Sequence, residues 1–331
     1  MPLTPPTMTP TVVIPPFNEA VRKTLRLRTA AEVQSFPYLL NLSTSASVTA
    51  RARMAVQTPF TAAPLSTRCR MVVGSTLSGG GSWTPSSLSP SAWYDASQAS
   101  DMTLVSGAVS QWNDRSGNAR HLTQGTAGNR PAYASATLNS LNLVTFDGTS
   151  DFLSGSALSD YITDTAHTVL AVFRQRGAVV GTAQAYGNKA VIADQEGYFG
   201  LHINAPSGAS SARVMGYNCD GNEDKVIQTI GADNAWSIVA FTHGSGNLDM
   251  TRNGGTVTTT ASGATSVLTA TLDVGRCLYS NVFLEMDLAE IVILSSAVTT
   301  TDRQKLEGYA AHKWGRTADL PGGHPYKTTA P

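Results

Sequence analysis

From about residue 92 onward the chain breaks into many short runs of β-branched and aromatic residues, each closed by a turn. That rhythm is the strongest constraint on its fold. Runs of this kind include Leu143–Phe146, Thr168–Arg174, Ala190–Ala193, Phe199–Ile203, Ala212–Tyr217, Trp236–Thr242, Leu248–Arg252, Thr256–Thr260, Thr271–Val274 and Val282–Leu294. Between them stand Asp147-Gly148, Gly187-Asn188, Asp220-Gly221 and Asn253-Gly254-Gly255. Asn and Gly tolerate positive φ, so the last of these marks a hairpin. No alternation of strand and helix periods appears. The expectation is therefore an antiparallel sandwich or barrel, not a parallel α/β sheet. One helix is expected near the end. Thr300 or Thr301 can cap it, Leu306, Tyr309, Ala310 and Trp314 form an apolar stripe, and Gly315 suits the C′ position.

Composition agrees with short strands and tight turns. Charged residues are 14% of the 331 and hydrophobic ones 41%, against about 25% charged in an average soluble protein. Three cysteines, Cys69, Cys219 and Cys277, cannot pair completely, and none has metal-site spacing. No apolar run reaches the length of a membrane span, so no membrane insertion is expected. Met1 to Ile14 is rich in Pro and Thr, without the basic start and apolar core of a Sec leader.

Residues 1–80 differ from the rest. Pro2, Pro5, Pro6, Pro10, Pro15 and Pro16 favour an extended arm over helix or central strand. Eight Lys/Arg face only Glu19 and Glu32 there, while 15 basic and 21 acidic residues follow, so the net zero divides into +6 and −6. Three strand-like pieces repeat Arg at i and i+2: Arg26 and Arg28, Arg51 and Arg53, Arg68 and Arg70. On a strand each pair shares a face, and three paired strands would make one basic ladder. The ladder is either a solvated surface or a docking face for an acidic partner. With few aromatics and no nucleic-acid module, nucleic acid is not expected to be that partner. A Gly/Ser/Pro stretch, Ser75 to Ser91, then marks a boundary. The organisation expected is a basic anchoring arm with short strands at 1–80, a linker at 81–91 and a β domain at 92–331.

Four stretches carry a resemblance. They are Ala92-Trp-Tyr-Asp-Ala-Ser97; Val109-Ser-Gln-Trp-Asn-Asp-Arg-Ser-Gly-Asn118; Val144-Thr-Phe-Asp-Gly-Thr-Ser-Asp-Phe-Leu153; and a last one from Leu288–Leu294 through Asp302–Tyr309 and Lys313-Trp-Gly315 to His324-Pro-Tyr-Lys327. Over residues 91–327 the chain resembles the laminin-G-like, concanavalin A-like jelly-roll domain common in tailed-phage virion proteins and some bacterial surface proteins. The resemblance implies a jelly-roll sandwich with one C-terminal helix. It further implies a structural protein on the particle surface, homo-oligomeric and able to meet a host-surface glycan, and the basic arm of residues 1–80 is expected to anchor it to phage capsid or tail proteins. A short N-terminal segment without a coiled-coil shaft favours a capsid decoration or head fibre over a tail or baseplate receptor-binding fibre. A secreted carbohydrate-binding module is a further reading.

Glu285-Met-Asp-Leu-Ala-Glu290 is the strongest catalytic candidate. It resembles the catalytic strand of laminarinase-like glycoside hydrolases, which implies Glu285 as nucleophile, Asp287 as its modulator and Glu290 as acid/base. Retaining chemistry needs carboxyls about 5–5.5 Å apart. On a regular strand Glu290 points away from Glu285 and Asp287, and only a bulge brings it round. The expectation is that the protein is not an enzyme. Trp93 and Trp112 read first as core-packing residues, with sugar stacking the alternative. Asn218–Asp224 clusters oxygen ligands at Asp220, Asn222 and Asp224 but lacks the Gly and distal Glu of a calcium loop. Calcium is thus the one cofactor this loop suggests, and none is expected. The six histidines have no metal spacing, and no Gly-x-Ser-x-Gly, Walker or dinucleotide motif is present.

Overall fold

The computed structural model describes residues 83–177, 189–204, 212–219, 223–231, 234–265 and 268–331. The arginine ladder (Arg26, Arg28, Arg51, Arg53, Arg68, Arg70), Cys69, Asp220 and Asn222 lie outside the described residues.

The described strands, in chain order, begin with β1 Ala92–Asp95, β2 Met102–Val105, β3 Ala108–Trp112, β4 Leu122–Thr123, β5 Ala132–Leu138 and β6 Leu141–Asp147. Then come β7 Leu153–Ala157, β8 His167–Gln175, β9 Lys189–Asp194, β10 Phe199–Asn204, β11 Ala212–Cys219, β12 Glu223–Gly231 and β13 Trp236–Gly244. The last are β14 Asn247–Arg252, β15 Thr258–Ala261, β16 Thr271–Val274, β17 Arg276–Cys277, β18 Val282–Phe283 and β19 Glu285–Leu294. Among the described residues a single α-helix, α1, covers Thr300–Lys313.

Every described strand pair is antiparallel; β17 and β18 pair only with each other, and the remaining pairings make two layers. One layer runs β15–β14–β13–β8–β19, with β1 and β6 both on the far edge of β19, and continues through β5 and β3 to β2. The other runs β12–β11–β10–β9–β16–β7–β4, and the β3–β4 pairing joins the two. The result is the expected all-β jelly-roll sandwich with one C-terminal helix. Rings from both layers meet between them: His167 lies 5.1 Å from Phe199 and 5.3 Å from Phe241, centroid to centroid. A Cβ on Gly216 would come within 2.4 Å of the Phe241 ring, so only glycine lets β11 approach that closely.

Two expectations need correction. Residues 83–91 are not a free linker, because Trp83 packs edge-on against Tyr309 with centroids 6.2 Å apart. Ser91 is buried, and its hydroxyl donates to the Tyr161 carbonyl at 2.6 Å. The domain therefore starts by Trp83. The helix begins one residue early. Thr299, in extended backbone, accepts the Asp302 N–H at 3.1 Å, which makes it the cap in place of Thr300 or Thr301. Gly315 takes φ +66° after Trp314, as a C′ glycine should.

The tail then straps the helix down. Glu307 is fully buried beneath it and bonds Arg303 at 2.7 Å, His324 at 3.2 Å and the Thr251 hydroxyl. Gly308 admits Tyr326, since a Cβ there would lie 2.3 Å from the tyrosine Cβ.

Candidate functional site

The acidic strand β19 sits at the centre of its layer, and its register contains an irregularity. Leu288 pairs with Phe173 while Glu290 pairs with Val172, so Ala289 is an extra residue without a partner. This is the bulge that a catalytic row would require. Asp287 stands opposite Arg174, and Glu290 opposite Val172 two residues earlier on β8, so both carboxylates project from the same outer face. Glu285 joins them there through an ion pair with Arg176 at 3.5 Å.

The three carboxylates then meet different fates. Glu290 lies under α1 with no solvent exposure. Its Oε1 accepts the Trp93 indole N–H at 2.7 Å and the Tyr309 hydroxyl at 3.0 Å. Its Oε2 accepts Lys313 Nζ at 2.9 Å and the Trp314 indole N–H at 2.6 Å. A carboxylate offers about four lone-pair sites, and all four are taken. Lys313 is equally committed, for it also reaches Asp95 at 2.7 Å and the Tyr309 oxygen at 3.1 Å. Burial raises the Glu290 carboxyl above its ordinary range, and the Lys313 charge opposes that rise. Burial, with Glu290 and Asp95 adding to it, also pushes the Tyr309 phenol up, which keeps it a donor. An acid/base needs a free lone pair and a route to substrate. Glu290 has neither.

Asp287 is buried as well, but at the edge of open surface. It accepts the Thr145 hydroxyl at 3.0 Å and Arg174 Nε at 3.0 Å, and Arg176 Nε lies 3.5 Å away. Across the sheet Thr145, Asp287, Arg174 and Trp236 stand in direct register on β6, β19, β8 and β13. The Arg174 guanidinium lies over the Trp236 ring at 5.3 Å, a cation–π contact at a half-buried indole. Glu285 keeps 38% of its side chain exposed. Within this polar row Arg174, Glu285 and Trp236 keep part of their surface accessible.

Trp93 and Trp112 take the first of their two expected roles. Trp93 is 7% exposed, bound to Glu290 and edge-on to Tyr309 at 6.5 Å, with the Arg115 guanidinium over the ring at 5.3 Å. Trp112 is fully buried against Tyr94 at 5.8 Å. Both are packing residues, because no ring face is left for a sugar. No local pattern marks Arg174, since its tie to Trp236 is a cross-strand neighbourhood with 61 residues between them in sequence. Of the calcium candidates, Asp224 is half-buried and accepts the Gly263 N–H at 3.1 Å. Among the described residues no group of three or more His, Cys, Asp or Glu side chains could hold a metal.

No protein-family model matches the chain, and neither does any curated protein. Solved structures of similar shape do exist. The botulinum neurotoxin serotype D ligand-binding domain in complex with N-acetylneuraminic acid shares 12% identity at a TM-score of 0.48, over 68% of this chain and 52% of that one. The binding domain of Paraclostridial Mosquitocidal Protein 1 shares 11% at 0.46, over 68% and 53%. Domain 4 of AbnA, a GH43 extracellular arabinanase from Geobacillus stearothermophilus, in complex with arabinotriose, shares 12% at 0.45, over 66% and 98%. This chain spans about half the length of the two toxin structures. Similarity at this level reaches no further than a β-rich architecture.

Proposed function

We propose that the chain is a non-catalytic structural protein of a tailed-phage virion, a capsid decoration or head fibre whose lectin-like sandwich is displayed from a basic N-terminal anchor. The observation that carries the non-catalytic part is Glu290, saturated by four donors and sealed beneath α1. The anchoring part rests on the division of charge into +6 over residues 1–80 and −6 over the remainder. The virion setting rests on the resemblance of residues 91–327. A truncated chain beginning at Ser82, which retains Trp83, is expected to fold and to fail to bind particles that the full chain binds. Stoichiometric particle binding by the truncated chain overturns the reading. A particle bearing the tail but no capsid separates the head assignment from a tail fibre.

Charge should also show in the salt dependence. Exposed ion pairs contribute about 0–1 kcal/mol each and are screened over about 8–10 Å. Raising salt is therefore expected to weaken particle binding without abolishing it, and replacing Arg26, Arg28, Arg51 and Arg53 with Gln to flatten that dependence. Binding indifferent to both would make the ladder a solvated face.

The Ala289 bulge favours a second reading, a glycoside hydrolase, because it sets the three carboxylates on one face. Release of reducing sugar from laminarin, lost in both Glu285→Gln and Glu290→Gln, would establish it in place of the first.

A further inference from the structure

The hub beneath α1 brings an amine and two carboxyls together in a dry site. Asp95 and Glu290 stand directly opposite in the β1–β19 register, so their side chains leave the sheet on one face. Lys313, the last residue of α1, reaches both: Nζ lies 2.7 Å from Asp95 Oδ2 and 2.9 Å from Glu290 Oε2. Asp95 keeps 3% of its surface and Glu290 none. Aromatic rings close the site. Trp93, Tyr309 and Trp314 each donate to Glu290, and the Tyr309 and Trp314 ring centres lie 5.4 and 5.0 Å from the lysine nitrogen. A site closed to water also protects what forms in it from hydrolysis.

The two carboxyls are held differently. Asp95 Oδ1 accepts the Ser97 N–H at 3.0 Å and the Ser97 hydroxyl at 2.7 Å, whereas Oδ2 faces the amine. A nucleophile adding to Cγ drives negative charge onto Oδ1, where two donors are already in place. The oxygen that must leave is the one beside Lys313. In Glu290 the indole N–H groups of Trp93 and Trp314 anchor one oxygen each, so neither is free to depart. Burial raises the Glu290 carboxyl against the pull of Lys313, with Asp95 raising it further, which fits Glu290 to take a proton from the lysine.

We propose that Lys313 and Asp95 condense into a side-chain amide, an intramolecular isopeptide bond, with Glu290 relaying the proton. The Nζ–Cγ bond forms and the Cγ–Oδ2 bond breaks. Nζ, an ammonium at the start, gives up two protons, one of them by way of Glu290. Oδ2 gains both and departs as water, and Glu290 ends as it began. Atoms and charges balance without a co-reactant. Groups oriented this closely react with effective molarities of about 10⁵–10⁸ M, which stands in for activation of the acid. An outside substrate cannot reach Glu290, but here both reacting groups are its neighbours. The bond forms once, within the chain, so the protein remains non-catalytic toward other molecules. The ion pairs described above are the arrangement from which it forms. The product ties β1 to the end of α1 covalently, whatever the chain is anchored to.

The test is mass spectrometry of the full chain, purified folded and then denatured. Its intact mass is expected to fall below the sequence mass by one water molecule, and digestion to yield a branched peptide joining Asp95 to Lys313. Full sequence mass, loss of water without that peptide, or Lys313 joined to Glu290 instead would each overturn the proposal. Asp95→Ala and Glu290→Gln are each expected to keep the full mass of their own sequences, with folding checked by circular dichroism. A Glu290→Gln chain joined as completely as the unsubstituted one would also overturn it, since the relay would then have no part. The deciding measurement is made on the unsubstituted chain, so it stands even where a substitution prevents folding. None of these outcomes bears on particle attachment, so this inference and the virion reading fail separately.

Discussion

Two charges, Glu290 and Lys313, hold the outer face together by satisfying each other and their neighbours completely. Lysine has three N–H donors, and Lys313 spends them on Glu290, Asp95 and Tyr309. A buried pair of this kind contributes little net stability, but breaking one half is costly because the other is left uncompensated, by about 3–5 kcal/mol. Lys313→Met is therefore expected to lower the unfolding free energy by about 3 kcal/mol or more, read from urea denaturation. Glu290→Gln should also destabilise, by about 1–3 kcal/mol, since its amide nitrogen must face donors on one side. If either substitution leaves the denaturation midpoint unchanged, the hub is not what fastens α1.

At the scale of elements, the helix shows how far local pattern carries. Its stripe of Leu306, Ala310 and Trp314 is buried as the spacing implied, and Gly315 ends it. The N-cap shifted by one residue because Thr299, Thr300 and Thr301 are chemically alike, and only the extended backbone at Thr299 separates them. Thr299→Ala is expected to cost about 1 kcal/mol, and Thr300→Ala far less. The reverse order would assign the cap elsewhere. The bulge at Ala289 was less legible. Its necessity for a catalytic row follows from strand alternation, but its presence arises where β19 changes partner from β6 to β1, which no stretch of β19 alone encodes.

At the scale of the whole molecule, the two layers enclose a pair of imidazoles. His167 and His243 lie 5.2 Å apart, and neither His167 nitrogen has a hydrogen-bond partner. Phe199 from β10 and Phe241 from β13 flank His167, while burial lowers the His243 pKa against the opposing pull of the Gly263 backbone, Asp224 and Asp164. Burial brings His167 down to about 3. Its folded-state pKa is depressed, so the unfolded chain binds the proton first, and stability falls as pH drops from about 6.5 towards about 3. Asp151 and Asp194 oppose this. Burial raises both to about 6, so between there and about 4 the folded state holds their protons and gains stability as pH falls. The offsetting groups predict a shallow profile above about pH 4 and a steeper acid loss below it. His167→Phe is expected to remove part of that loss, measured by denaturation across pH. An acid limb identical to that of the unsubstituted chain would exclude His167 as its source.

Alternating short runs and their Gly/Asn/Asp turns sufficed for the all-β class and for most central strands, because side-chain direction in a strand is set locally by the period of two. The C-terminal helix was readable for the same reason, at its own period. What folding alone settled is which residues became neighbours. Glu285, Asp287 and Glu290 read as one constellation along the chain. In three dimensions Glu290 was drawn into a hub with Trp93, Tyr309, Lys313 and Trp314, while Asp287 was paired with Arg174. Those contacts join segments up to 197 residues apart. Burial and the saturation of a carboxylate are properties of such meetings between distant segments, so no local pattern could announce them.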